Sequence, residues 1–141
     1  MQVVNKAKVE VDDIIVGQIN KGYLLLVGVF ENDEKENALK LAEKISKLRV
    51  FPDDNGKTNL SLKDVNGEIL SVSQFTLCGD VSGGNRPSFV KSAKREDAIR
   101  LYNLFNNKLR ELGFEVHEGI FGADMKVSLV NDGPFTLVVD N

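Results

Sequence analysis

The chain has 141 residues, 42% of them hydrophobic and 28% charged, with a formal net charge of −3. That length fits one domain, residues 1–141, with a core that buries about two-thirds of the unfolded surface. The slight acidity leaves no global basic field for a nucleic-acid partner, and no run reaches the roughly 18 apolar residues of a membrane span.

Val3–Val11 alternates, with Ala7, Val9 and Val11 on one face and Lys6, Lys8 and Glu10 on the other, which is the pattern of a half-buried strand. The same alternation, carrying charge, is not that of a secretory segment. Asp12-Asp13 reads as a two-residue turn into a second strand, Ile14–Ile19. Asn20-Lys21-Gly22 reads as a second turn, with Gly22 supplying positive φ, and Tyr23–Phe30 as a third strand buried on both faces. These thirty residues therefore predict a β-meander. A helix follows, with Asp33 as cap and Glu36 completing a capping box. Ala38, Leu41, Ala42, Ile45 and Leu48 form its apolar stripe, and Glu36–Lys40 and Glu43–Lys47 are its exposed i, i+4 pairs. Pro52 and Asp53-Asp54-Asn55-Gly56 mark its exit.

Asn66-Gly67 leads into a strand over Glu68–Leu77, and Asp80–Pro87 is a glycine-rich loop holding Arg86. A second helix spans Glu96–Leu112 with Ala98, Leu101, Tyr102, Phe105 and Leu109 as its stripe, and Gly113 caps it. Phe114–Phe121, Met125–Val130 and Phe135–Val139 return to strand. The sum is α+β: a mostly antiparallel, barrel-like sheet with two main helices, without regular βαβ winding.

The densest polar group is Ser73-Gln74-Phe75-Thr76. The Thr76 hydroxyl is a candidate nucleophile, but no base stands beside it in sequence, and a hydroxyl without a base is weak. The amides of Phe75 and Thr76 are an alternative, as an oxyanion hole if the strand opens there. The plain reading is a strand end whose polar side chains satisfy loop amides. One cysteine, Cys78, excludes an internal disulfide and suits a reducing cytoplasm. With the one histidine, His117, it argues against a zinc site and allows a Cys-His pair only if the fold joins them. Ser82–Asn85 lacks the lysine of a phosphate-binding loop. Phe121-Gly122-Ala123-Asp124-Met125 can line a pocket or make a tight turn. Lys91, Lys94, Arg95 and Arg100 make a local basic patch near the second helix, which reads as a solvated face or, alternatively, as a place to hold phosphates. In Asn131–Thr136, NDGPFT, a proline follows Gly133 where a strand should start, so the stretch reads as a rigid corner that stops an edge from pairing.

The motifs SQFTL at Ser73–Leu77, GNRPSF at Gly84–Phe89, GIFGADM at Gly119–Met125 and NDGPFT at Asn131–Thr136, in that order, resemble the D-aminoacyl-tRNA deacylase family of the bacterial and eukaryotic type. The likeness runs from Ala7 to Asp140. It implies hydrolysis of the ester between a D-amino acid and tRNA, with the glycyl ester also accepted. It implies a cytoplasmic homodimer with active sites at the subunit interface, no cofactor and no metal. By motif match, Phe75 and Thr76 would be catalytic. Ser73, Gln74, Phe75 and Thr76 would line the pocket for the 3′-terminal adenosine and its aminoacyl group, with Phe121 and Met125 in its wall. Gly133 and Pro134, joined by a cis peptide, would enter the partner's pocket and reject L side chains by collision. An alternative is a non-catalytic nucleic-acid-binding module on the same scaffold. Three positions depart from the family: Val3 stands for an arginine, Ser82-Gly83 for lysines, and Phe135 for the commoner valine.

Overall fold

The computed structural model describes Met1–Asn141. Strands β1 (Gln2–Val11), β2 (Ile14–Ile19) and β3 (Gly22–Val27) precede helix α1 (Lys35–Lys47). A small hairpin of β4 (Arg49–Pro52) and β5 (Thr58–Ser61) leads to β6 (Glu68–Ser73) and a 3-10 turn over Phe75–Cys78. Helix α2 (Arg95–Glu111), β7 (Val116–Glu118) and β8 (Lys126–Thr136) complete the chain.

The main sheet is built on β1, which pairs antiparallel with β2, β3 and β8. β6 joins β3 on one side and β7 on the other, both in parallel. The sheet is therefore mixed where the sequence predicted mostly antiparallel pairing. The helices explain it: each lies in a crossover that carries the chain back to start a parallel strand, so β3–α1–β6 and β6–α2–β7 are βαβ connections. The sheet nearly closes on itself, because Gly17 of β2 comes so near β7 that an added Cβ would lie 2.8 Å from the Glu118 carbonyl oxygen.

The predicted meander is also corrected. Asp12 and Asp13 do reverse the chain, at φ 51° and 63°, as a tight hairpin turn requires. Asn20-Lys21-Gly22 does not. Ala7 faces Ile19 and Val4 faces Gly22, so β2 and β3 run on in one direction along β1, with a bend at Asn20 and Lys21. Gly22 serves another purpose than positive φ: the Glu68 backbone of β6 occupies the space a Cβ would need.

Successive strand residues point to opposite faces, and both faces are covered. Val3, Tyr23, Leu25 and Ile69 pack under the helices against Ile45, Phe105 and Leu109. Val4, Leu24 and Leu70 turn the other way and fill the barrel with Val9, Met125 and Leu129. This is why the third strand reads as an unbroken apolar run. The α1 cap lies one residue beyond the predicted one: Glu34 is the cap, its amide donates to Asn37 Oδ1 at 2.8 Å, and Asp33 instead accepts from the Phe30 amide. Glu43 reaches across to Lys108 of α2 at 3.7 Å instead of pairing with Lys47. No helix is long and apolar enough to cross a membrane.

Candidate active site

The predicted strand over Glu68–Leu77 ends early. β6 stops at Ser73, Gln74 turns the chain, and Phe75–Cys78 winds into the 3-10 turn. Ser73 and Phe75 therefore do not share a strand face, and the alternation expected of them is lost. The Gln74 amide donates to the Val27 carbonyl at 2.8 Å and ties the turn to the end of β3. Cys78 plugs it from beneath: the thiol is buried, donates to the Val29 carbonyl at 3.4 Å, and is pushed up in pKa by that burial. Phe75 and Thr76 begin the turn, so their amides have no partner within it. Thr76 is exposed, and its Oγ1 accepts from Gln74 Nε2 at 2.5 Å.

The turn stands at the mouth of a cavity of about 530 Å³, bounded by the ends of β3 and β6, the start of α2 and the Phe121–Met125 turn. Ser73, Gln74, Phe75, Phe121 and Met125 line it. Thr76, Gly133 and Pro134 of the same chain do not. Tyr102 and Arg95 also line it, although the sequence assigns neither to the pocket. Tyr102 appeared in the sequence only as one residue of a core stripe. Its hydroxyl donates to the Ser71 carbonyl at 2.8 Å, and its ring lies 5.9 Å from that of Phe121. The lining is mostly apolar with a few convergent polar groups, as small-molecule pockets are.

NDGPFT is not a corner between two strands. Both of its flanks pair with β1, Asn131 opposite Val4 and Thr136 opposite Gln2, and Asp132–Phe135 bulge out of one continuous β8. The base of the bulge is clamped. Asn131 Oδ1 accepts from the Phe135 amide at 2.8 Å, and Asn131 Nδ2 donates to Thr136 Oγ1 at 2.9 Å. Gln2 Nε2 donates to the same hydroxyl at 3.3 Å. The Gly133–Pro134 peptide is cis, Gly133 has φ 134°, and both residues are exposed. Val3, where the resemblance leads one to expect an arginine, is buried in the core, and Gln2, Asn131 and Thr136 hold the base of the bulge. Phe135 packs its ring against the same core.

The remaining candidates separate. His117 Nε2 is 2.8 Å from Glu115 Oε1, and these two with Glu68 bring three donor atoms within 4.8 Å of one another. Glu68 begins β6 and Ser73 ends it, so this trio lies at the far end of the strand from the cavity. Cys78 and His117 thus have separate partners and form no pair. The basic patch is partly neutralised: Lys91 pairs with Asp80 at 3.3 Å and Arg100 with Asp97 at 3.4 Å.

Residues 1–140 match the family described as D-Tyr-tRNA(Tyr) deacylase. A protein of Lactobacillus gasseri named D-aminoacyl-tRNA deacylase is 57% identical over 140 residues, covering 99% of this chain and 97% of its own. One of the same name from Geotalea daltonii is 56% identical, covering 99% and 93%. Among solved structures, the c-Myc DNA unwinding element binding protein superposes with a TM-score of 0.93 at 37% identity, covering 99% of this chain and 95% of that one. A structure described as a probable eukaryotic D-amino acid tRNA deacylase has a TM-score of 0.77 at 17% identity over 94% and 92%, and so shares the fold.

Proposed function

The chain belongs to the D-Tyr-tRNA(Tyr) deacylase family, and from that premise we propose that it is an ester hydrolase that frees D-amino acids from the 3′ end of tRNA. The observation that carries this reading is the 3-10 turn at Phe75–Cys78, whose first two amides have no partner within it and whose Phe75 lines a mostly apolar cavity of about 530 Å³. That volume lies within the few hundred to a thousand Å³ of small-ligand sites and suits a nucleoside with a small acyl group. Water adds to the acyl carbon, the bond from that carbon to the ribose oxygen breaks, and the ribose oxygen leaves with a proton. The amides of Phe75 and Thr76 hold the negative charge that develops on the carbonyl oxygen. An aminoacyl ester is already activated, so a strong protein nucleophile is not required, and the neighbouring ribose hydroxyl can position the water. Covalent attack by Thr76 is the competing route. It is disfavoured because the hydroxyl's hydrogen-bond partner is the Gln74 amide, which is no base.

Chirality is read by Gly133 and Pro134 of a second subunit. Supporting this are their exposure on a clamped bulge and their absence from their own chain's cavity. Carbonyls held beside the α-carbon collide with an L side chain and leave room for a D side chain or for glycine. Such exclusion discriminates where added attraction would not. The homodimer that this requires would cover exposed Phe75, Leu77 and Val90. We place the reaction in the cytoplasm, with the 3′ end of aminoacyl-tRNA as substrate.

The deciding experiment compares D-Tyr-tRNA with L-Tyr-tRNA. Release of D-tyrosine alone is expected; equal hydrolysis of both esters, or of neither, sinks the proposal. A second reading, nucleic-acid binding without catalysis, draws on the name of the c-Myc DNA unwinding element binding protein. Salt-dependent DNA or RNA binding with no ester hydrolysis would favour it.

A further inference from the structure

Of the four basic residues around the start of α2, Lys91 and Arg100 are neutralised by Asp80 and Asp97. Arg95 has no carboxylate within ion-pair reach, and among the four it alone lines the cavity. It is held there without losing its charge. The guanidinium carbon lies 5.4 Å from the centre of the Phe121 ring, a cation–π contact that orients the group and leaves its N–H donors unspent. It also lies flat against Gly122: a Cβ on that residue would come within 2.5 Å of Arg95 Nη1, so any larger side chain would push the guanidinium aside. The Phe121 ring in turn rests on Tyr102, which is anchored to Ser71 of β6. A cation is thus held in the wall of the cavity that Phe75 also lines, in an otherwise mostly apolar surrounding.

We propose that Arg95 binds the phosphate on the 5′ side of the terminal adenosine, so that the phosphodiester and the ester are gripped at two ends of one cavity. The identity of the ligand rests on the deacylase reading; the presence of a phosphate site does not. A planar guanidinium matches a phosphate with two parallel N–H donors, which an ammonium cannot do. The ester is held by the amides and the nucleoside by the apolar wall, so the phosphate contact contributes to binding and not to the chemical step. Lys94, the residue before Arg95, adds a second positive charge at the start of α2 without lining the cavity.

The test uses the non-hydrolysable amide analogue of D-alanyl-adenosine, with and without a 5′-phosphate, titrated against the full-length protein. The phosphorylated analogue should bind about tenfold more tightly, the factor expected of a hydrogen bond to a charged group. Arg95→Ala should erase that difference, and Arg95→Lys should recover part of it. With D-Ala-tRNA as substrate, Arg95→Ala should raise KM about tenfold at constant kcat. Equal affinity of the wild type for the two analogues, binding of neither, or equal loss on both in Arg95→Ala would overturn the inference. Because the titration needs no turnover, a protein that bound phosphate but left every aminoacyl ester intact would refute the deacylase reading alone.

Discussion

At the scale of single residues, two groups near the cavity make the clearest predictions. Thr76 has its hydroxyl paired with Gln74 and its amide without a partner in the turn. Thr76→Ala keeps the amide, so kcat on D-Tyr-tRNA should fall by less than about tenfold, whereas loss of a covalent nucleophile costs on the order of 10⁴ or more. Single-turnover rates on the two proteins decide between them. Asp80 holds the base of the glycine-rich loop. Its carboxylate accepts from the Ser82 hydroxyl at 2.6 Å and from the Ser82 amide at 2.9 Å, and Lys91 lies beside it. These contacts pull its pKa down to about 2. An unfolded aspartate titrates near 3.9, so the folded value is the lower one. The contribution of Asp80 to stability is therefore fully present above pH ~4 and lost as pH falls through about 2. A carboxyl carbon titration by NMR should find that midpoint; a value near 4 would mean that the loop contacts do not persist in solution. At this scale the sequence brings part of the site into view: Ser73, Gln74, Phe75, Phe121 and Met125, singled out by motif, meet around one cavity, which places them together without testing their roles. Arg95 and Tyr102 were missed because one lay in a charge run and the other in a helical stripe, and neither pattern reveals which member faces a cavity.

Among the elements, helices were legible and strand ends were not. Both apolar stripes sit within a residue or two of their predicted spans, because a 3.6-residue period over three or more turns is a long signal. Strand direction carries no such period. Asn20-Lys21-Gly22 has the composition of a reversal but makes a bend, and the two-stranded β4–β5 ribbon was read only as the exit from a helix. NDGPFT has the composition of a corner, yet its two flanks continue in one line along β1. In each case the deciding partner lies far away in sequence. Gly22 tests this: what fixes it is the backbone of Glu68 in β6, at the first pair of the β3–β6 ladder. Gly22→Ala should part the two strands there and cost more than about 3 kcal/mol in a urea melt. No loss, or the gain of up to ~1 kcal/mol of a glycine-to-alanine change at an unstrained position, would show that the approach is looser than described.

Taken as a whole, the molecule leaves apolar side chains in water beside its cavity. Phe75 is 58% exposed, Leu77 53% and Val90 77%, and Phe75 touches Phe89 edge to face at 5.1 Å. With the outward bulge at Gly133 and Pro134, this surface predicts self-association. Sedimentation equilibrium at micromolar protein should return twice the chain mass of 15.6 kDa. Leu77→Asp should shift that toward the single chain and, with the bulge withdrawn, lower the ratio of D- to L-ester hydrolysis. A wild-type protein that stays monomeric would leave the cavity without a chiral selector.

The union of β1 with β8 has a consequence of a different kind, in time. Gln2 and Thr136 touch across 134 positions of sequence, and the Met1 ammonium donates to the Leu137 carbonyl at 2.6 Å. Until those distant stretches find each other, β1 offers one bare edge along its whole length, and the barrel has no closed interior. Chains whose pairings span such separations fold slowly, because the entropy of closing the loop is spent before any contact repays it. The helices and the β3–β6 ladder need no such distant partner, and the seam is accordingly expected to close last. During that interval the open edge is the part of the molecule most exposed to pairing with a neighbour in a crowded refolding mixture.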